Sequence, residues 1–246
     1  KNNGYQIMLI STNAIVLSKL KYNDNDLIVR CYTQQLGVVS FLLRGVLKSK
    51  KSNTKAAYFQ PLSQLQLIID YKSNRTLHTI KETKLNHHYL SLYTHVLKSA
   101  IVMFLSEVLS STLKEEEQNE TLFSYLETTL LWLDEQSEYS NFHLLFLLNL
   151  SKYLGFYPDT RSIDAPYFNL NEGKFELHQQ NKYSISGENL ILLKQLLGIT
   201  FDALSVVKIN SKQRQSFLNM MLLYFELHLG SFKPPKSLQI FNQVFN

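Results

Sequence analysis

The sequence predicts an α+β protein, a five-stranded OB-fold barrel followed by an all-helical domain, and three observations predict it. Apolar residues recur with a period of two up to about residue 84 and with a helical period from there on. The first part holds five short β-type runs, and closing them into a barrel removes the exposed edges that so small a sheet would leave. Charge changes at the same point: residues 1–84 carry thirteen Lys and Arg against four acids, and the remainder carries twelve against sixteen. The chain is accordingly divided into a basic OB-fold over 8–84 and a helical bundle over 85–246.

The five strands are read over residues 14–22, 27–33, 38–46, 62–71 and 76–83. Asn23-Asp-Asn-Asp26, Gly37 and Lys72-Ser-Asn-Arg75 supply turns between them. Leu65, Leu67, Ile69 and Tyr71 alternate with Gln64, Gln66 and Asp70, which marks a strand with one buried face. From about His88, Leu90, Tyr93, Leu97, Ile101, Phe104 and Val108 fall on one helical stripe that runs out near Glu115-Glu-Glu117. Residues 121–136 and 141–154 read as two more helices. The second is apolar on nearly all sides through 142–148 and is therefore central to the bundle, with Gly155 and Pro158 stopping it. A hairpin is expected around 167–175 with its turn at Glu172-Gly173. Helices follow from Ser186 and over 211–229, the latter closed by Gly230 and Pro234-Pro235.

Composition sets further bounds. With 45 % apolar and 12 % aromatic residues among 246, the chain can fill a core. Its longest apolar runs, such as residues 144–148, fall far short of the roughly 18 residues of a membrane span. The first residues lack the apolar stretch of a secretory signal, Met8 reads as a natural start, and a cytoplasmic protein is expected. Cys31 is the single cysteine, so neither an internal disulfide nor a cysteine metal cage is available.

No catalytic set is legible. The histidines show no HExxH spacing, and His87-His88 reads as a packing or capping pair. Neither GxxxxGK[ST] nor GxGxxG occurs among eight glycines, so the phosphate cradles of nucleotide hydrolysis and dinucleotide redox chemistry are missing. Asp24 and Asp26 read as turn caps and residues 115–117 as a solvated helix end, not as Mg²⁺ ligands. A non-enzyme without metal or cofactor is expected.

The basic head points instead to a polyanion, for which nucleic acid is the first candidate. Arg44, Lys48, Lys50, Lys51 and Lys55 crowd one loop between strands, and Lys19, Lys21, Lys72 and Arg75 lie on other strand ends and turns that border the same groove. Phosphates call for such cations, and bases call for flat rings. Tyr32, Phe41 and Tyr58 are the base-stacking candidates, with Phe59 beside them.

These pieces, in their order, resemble the bacterial RecO family of DNA repair proteins. The block Ala14-Ile-Val-Leu17, Tyr22-Asn-Asp-Asn-Asp26, Leu36-Gly37 and Arg44-Gly45 with its lysine loop is similar to that family's opening. Phe59-Gln-Pro-Leu62, Leu154-Gly-Phe-Tyr-Pro-Asp159 and Tyr224-Phe-Glu-Leu-His-Leu-Gly230 match later landmarks. The resemblance implies binding of single- and double-stranded DNA, annealing of complementary strands, and cooperation with RecR in loading RecA recombinase onto strands coated by single-stranded-DNA-binding protein (SSB). It also implies capture of SSB's acidic, apolar C-terminal tail, for which Lys152, Lys208, Lys212 and Arg214 are the available cations. Many family members carry a four-cysteine zinc module where this chain has residues 159–184 without cysteine. The expectation is an irregular insert held by Tyr167, Phe168, Leu170, Phe175 and Leu177. Two other readings stay open: a protein-interaction scaffold, and an RNA-binding barrel, since stacking and phosphate contacts do not read the 2′-hydroxyl.

Overall fold

The computed structural model describes residues 8–48, 55–115 and 117–245. The chain forms two compact units, Lys1–Asp134 and Glu135–Asn246. The first contains the barrel and the two helices that follow it, so this division lies well beyond the change of periodicity at residue 84.

Strands β1 (Met8–Lys21), β2 (Leu27–Thr33), β3 (Gly37–Leu43), β4 (Gln64–Tyr71) and β5 (Leu77–Leu85) close in the order β1-β2-β3-β5-β4. This five-stranded barrel is the expected OB-fold. The long β1 serves two partners: residues 8–15 pair with β4 and 14–21 with β2, and a bulge between Val16 and Ser18 bends it from one to the other. It begins six residues earlier than its hydrophobic pattern announces, because residues 8–13 are strand by pairing with β4 and leave Met8, Leu9 and Ser11 exposed. Val16, Val29, Cys31, Val39, Phe41, Leu65, Leu67 and Ile69 fill the interior. Each large side chain so buried contributes about 1.5–3 kcal/mol. Burial also raises the Cys31 thiol far above its ordinary range, which makes it an inert core residue. Gly37 turns β2 into β3 with φ +68°, and a Cβ there would stand 2.6 Å from the backbone oxygen of Glu117, so that turn requires glycine.

Helix α1 spans Val96–Thr112 and α2 spans Glu120–Glu135. The stripe beginning at Leu90 predicts a longer α1; residues 89–95 are instead a turn. Its cause is Asp134, whose carboxylate accepts the backbone N–H groups of Leu90, Ser91 and Leu92 at 2.8, 2.8 and 3.1 Å. Lys98 reinforces the turn by donating to Ser91 Oγ at 2.7 Å and to the Asp134 carbonyl at 2.8 Å. Tyr89 and Tyr93 donate their hydroxyls to the carbonyls of Leu62 and Pro61, tying the turn to the segment before β4.

In the second unit α3 (Phe142–Tyr153) is buried continuously from Phe142 to Leu148, as its all-round apolar sequence predicts. Around it lie a small sheet of β6 (Tyr167–Asn169), β7 (Lys174–Glu176) and β8 (Ser184–Ile185), then α4 (Gly187–Leu196), a 3₁₀ turn (Phe201–Val206), α5 (Ser211–His228) and α6 (Leu238–Val244). A capping box between Asn210 and Gln213 starts α5. The sheet occupies the expected insert and is held by rings: Phe168 and Phe175 lie 4.9 Å apart, and His228 stacks on Phe156 while its ring nitrogen sits 2.8 Å from the Leu170 carbonyl. Phe168, Leu170 and Phe175 are buried; Tyr167 is half-buried and Leu177 is 71 % exposed, so Leu177 takes no part in this packing.

Candidate nucleic-acid interface

Strands β3 and β5 run parallel but pair only at Ser40–Leu77 and Phe41–His78. Beyond that point β5 follows β4 and β3 turns away, so the two diverge and leave a groove of about 1080 Å³. Leu42, Leu43 and the turn at Arg44 form one wall, residues 79–84 of β5 the other, and Lys55, Tyr58 and Phe59 close one side. Five cations line it: Arg44, Lys55, Arg75, Lys81 and Lys84. All five are exposed, and Glu82 is the one acid among the described lining residues. Lys81 makes a loose ion pair with Asp70 at 3.9 Å, worth little at such exposure.

Of the sequence-predicted cations, Arg44, Lys55 and Arg75 therefore converge on one groove. Lys48 stands on the adjoining turn, its stem over Gly45. Lys19 and Lys21 lie outside the groove on the exposed end of the β1–β2 ribbon, opposite Val29 and Leu27. Lys72 also lies outside it, half-exposed in the β4–β5 turn. Lys50 and Lys51 fall outside the described residues. Lys81 and Lys84 are groove residues that no turn or loop signal announces, because they sit within a strand that becomes a wall only when β3 departs.

Two of the three predicted stacking rings are corrected. Tyr32 is 1 % exposed, packs against Phe123, and donates its hydroxyl to the Asn119 carbonyl, and burial pushes its phenol up to about 12. Phe41 is fully buried in the barrel interior. Neither can meet a base. Tyr58 does line the groove, its backbone fixed by a hydrogen bond to the Lys55 carbonyl at 3.2 Å.

The two halves of this fold match two sequence models of one family, described as Recombination protein O N terminal over residues 8–89 and Recombination protein O C terminal over residues 94–239. The chain belongs to the RecO family. It is 48 % identical to the DNA repair protein RecO of Christiangramia forsetii, 44 % to that of Flavobacterium johnsoniae and 37 % to that of Bacteroides fragilis strain YCH46. Each alignment covers 97 % of this chain and the whole of the relative. The seam between the matched stretches, residues 90–93, is the turn that Asp134 caps in this RecO family member.

The four cations singled out on the helical unit do not converge. Arg214 is half-buried and donates to Asn141 Oδ1 at 3.0 Å and to the Ile209 carbonyl at 3.2 Å, and desolvation lowers its pKa. That places it beside the start of α3, whereas the exposed Lys152 stands in the last turn of that helix, about 16 Å along it. Lys208 and Lys212 are exposed and flank the capped start of α5 near Arg214. Among the described residues no group of three or more His, Cys, Asp or Glu converges as a metal site, and no helix is long and apolar enough to cross a membrane.

Proposed function

We propose that this RecO family member serves recombinational DNA repair as a non-catalytic mediator. It binds single- and double-stranded DNA without reading sequence, anneals complementary strands, and helps RecR load recombinase onto SSB-coated DNA. The observation that carries the DNA-binding part is the groove where β3 and β5 diverge, with five exposed cations against one acid among its described lining residues. Contacts from such a surface go to phosphates and displace counterions, which neutralises two repelling backbones and leaves base edges free to pair. Annealing needs no bond made or broken, only that neutralisation. The name carried by the relatives, DNA repair protein RecO, supports the repair role. The acidic tail of SSB is assigned to the Lys208–Arg214 end of the helical unit, where three of the four candidate cations remain together.

The test is the annealing rate of complementary oligonucleotides against salt, with and without SSB. The rate should fall steeply with salt, and alanine at Arg44, Lys55 and Arg75 together should lower it at least tenfold. An annealing rate indifferent to all three substitutions would refute this reading. Equal competition by matched RNA strands would widen it from DNA to nucleic acid at large, and absence of salt-sensitive binding would favour the protein-interaction scaffold.

A further inference from the structure

We infer that Tyr22, at the tip of the β1–β2 ribbon, is a base-stacking platform for single-stranded nucleic acid, an extension of the groove that rests on the reading above. Tyr22 is 53 % exposed. A single exposed tyrosine is commonplace on protein surfaces. What distinguishes this one is how its turn is held. The Tyr22 N–H donates to the Asp26 carbonyl at 3.0 Å and Asn23 Nδ2 to Asp26 Oδ2 at 3.3 Å, closing the turn on itself. The other Asp26 oxygen accepts the Gly45 N–H at 2.8 Å, and the Leu47 N–H donates to the Asn25 carbonyl at 3.1 Å. The tyrosine turn is thus clamped by two hydrogen bonds to the turn of Arg44 and Lys48.

That second turn is a wall of the cationic groove, since Arg44 and Val46 line it. The ribbon tip is therefore held next to that wall, with the exposed Arg44 and Lys48 in the turn it touches. At that tip stands a flat, exposed ring on a turn held by hydrogen bonds. Single-strand surfaces combine these two elements, cations along the backbone and a ring for a base, and such a stack is worth a roughly 5- to 150-fold change in affinity. Tyr58 inside the groove and Tyr22 beyond its Arg44 wall would then hold two bases apart along one strand, exposing the bases between them for pairing.

Binding of a fluorescent single-stranded oligonucleotide, and of the same strand with abasic sites, decides it. Tyr22→Ala should weaken binding of the intact strand within that range, leave the slope of affinity against salt unchanged, and leave abasic-strand binding unaffected. Tyr22→Phe should bind as the unaltered protein does, and Tyr22→Trp should lose emission when the strand is added, beyond any change from Trp132. Unchanged affinity in Tyr22→Ala alongside an intact salt slope would overturn the stacking role alone. An equal loss on the abasic strand would overturn it as well, by assigning the effect to the backbone. A protein that shows no salt-dependent binding before any substitution would remove the groove and the platform together.

Discussion

Asp134 is the residue on which the junction after the barrel depends. Burial opposes its ionisation, but the N–H groups of Leu90, Ser91 and Leu92 and the Ser91 hydroxyl outweigh that and hold its carboxyl below the usual carboxylate value. A lowered folded pKa stabilises the fold fully above the unfolded value near 3.9 and loses that contribution as pH falls through the folded one. Asp134→Ala leaves up to three N–H groups without their acceptor and should cost roughly 2–3 kcal/mol in urea unfolding at pH 7, with the difference from the unaltered protein shrinking below about pH 4. The turn was not legible in the sequence, because its cause lies more than forty residues away from the groups it binds. The apolar stripe through Leu90 and Tyr93 satisfies a helix pattern equally well. Tyr32 and Phe41 illustrate the same limit: strand alternation tells that a ring has a face, not whether that face meets water or a neighbouring helix.

At the scale of elements, all five strands were legible from alternation and turn residues, and α3 from its apolar circumference. The groove was legible only in part. Arg44, Lys55 and Arg75 announce themselves in turns and loop ends, but Lys81 and Lys84 become wall residues because β5 exchanges β3 for β4 as its partner, a non-local event. The small sheet of β6–β8 is the second element whose chemistry can be checked. Its ring contacts and the His228 contact hold the segment through Phe168, Leu170 and Phe175. Phe168→Ala should therefore destabilise the protein by roughly 3–5 kcal/mol, while a chelator should leave the unfolding midpoint where it was. A midpoint lowered by chelator would show that a bound ion shares the load.

Across the whole molecule, charge separates two tasks. The first third carries thirteen bases against four acids, whereas the rest is mildly acidic, and on the proposed reading this excess is what draws the nucleic-acid backbone to the barrel. The family was legible from the order of motifs along the chain. The contact between the Asp26 and Gly45 turns was not, since it joins in space two turns nineteen residues apart along the chain. The most direct measurement of the electrostatic claim is the slope of log affinity for a single-stranded oligonucleotide against log salt, compared between the unaltered protein and a variant with alanine at Arg44, Lys55 and Arg75. Five groove cations predict a slope of roughly −3 to −4, made shallower by about 2 in the variant. An identical slope in both proteins would contradict the assignment and place the nucleic acid elsewhere on the molecule.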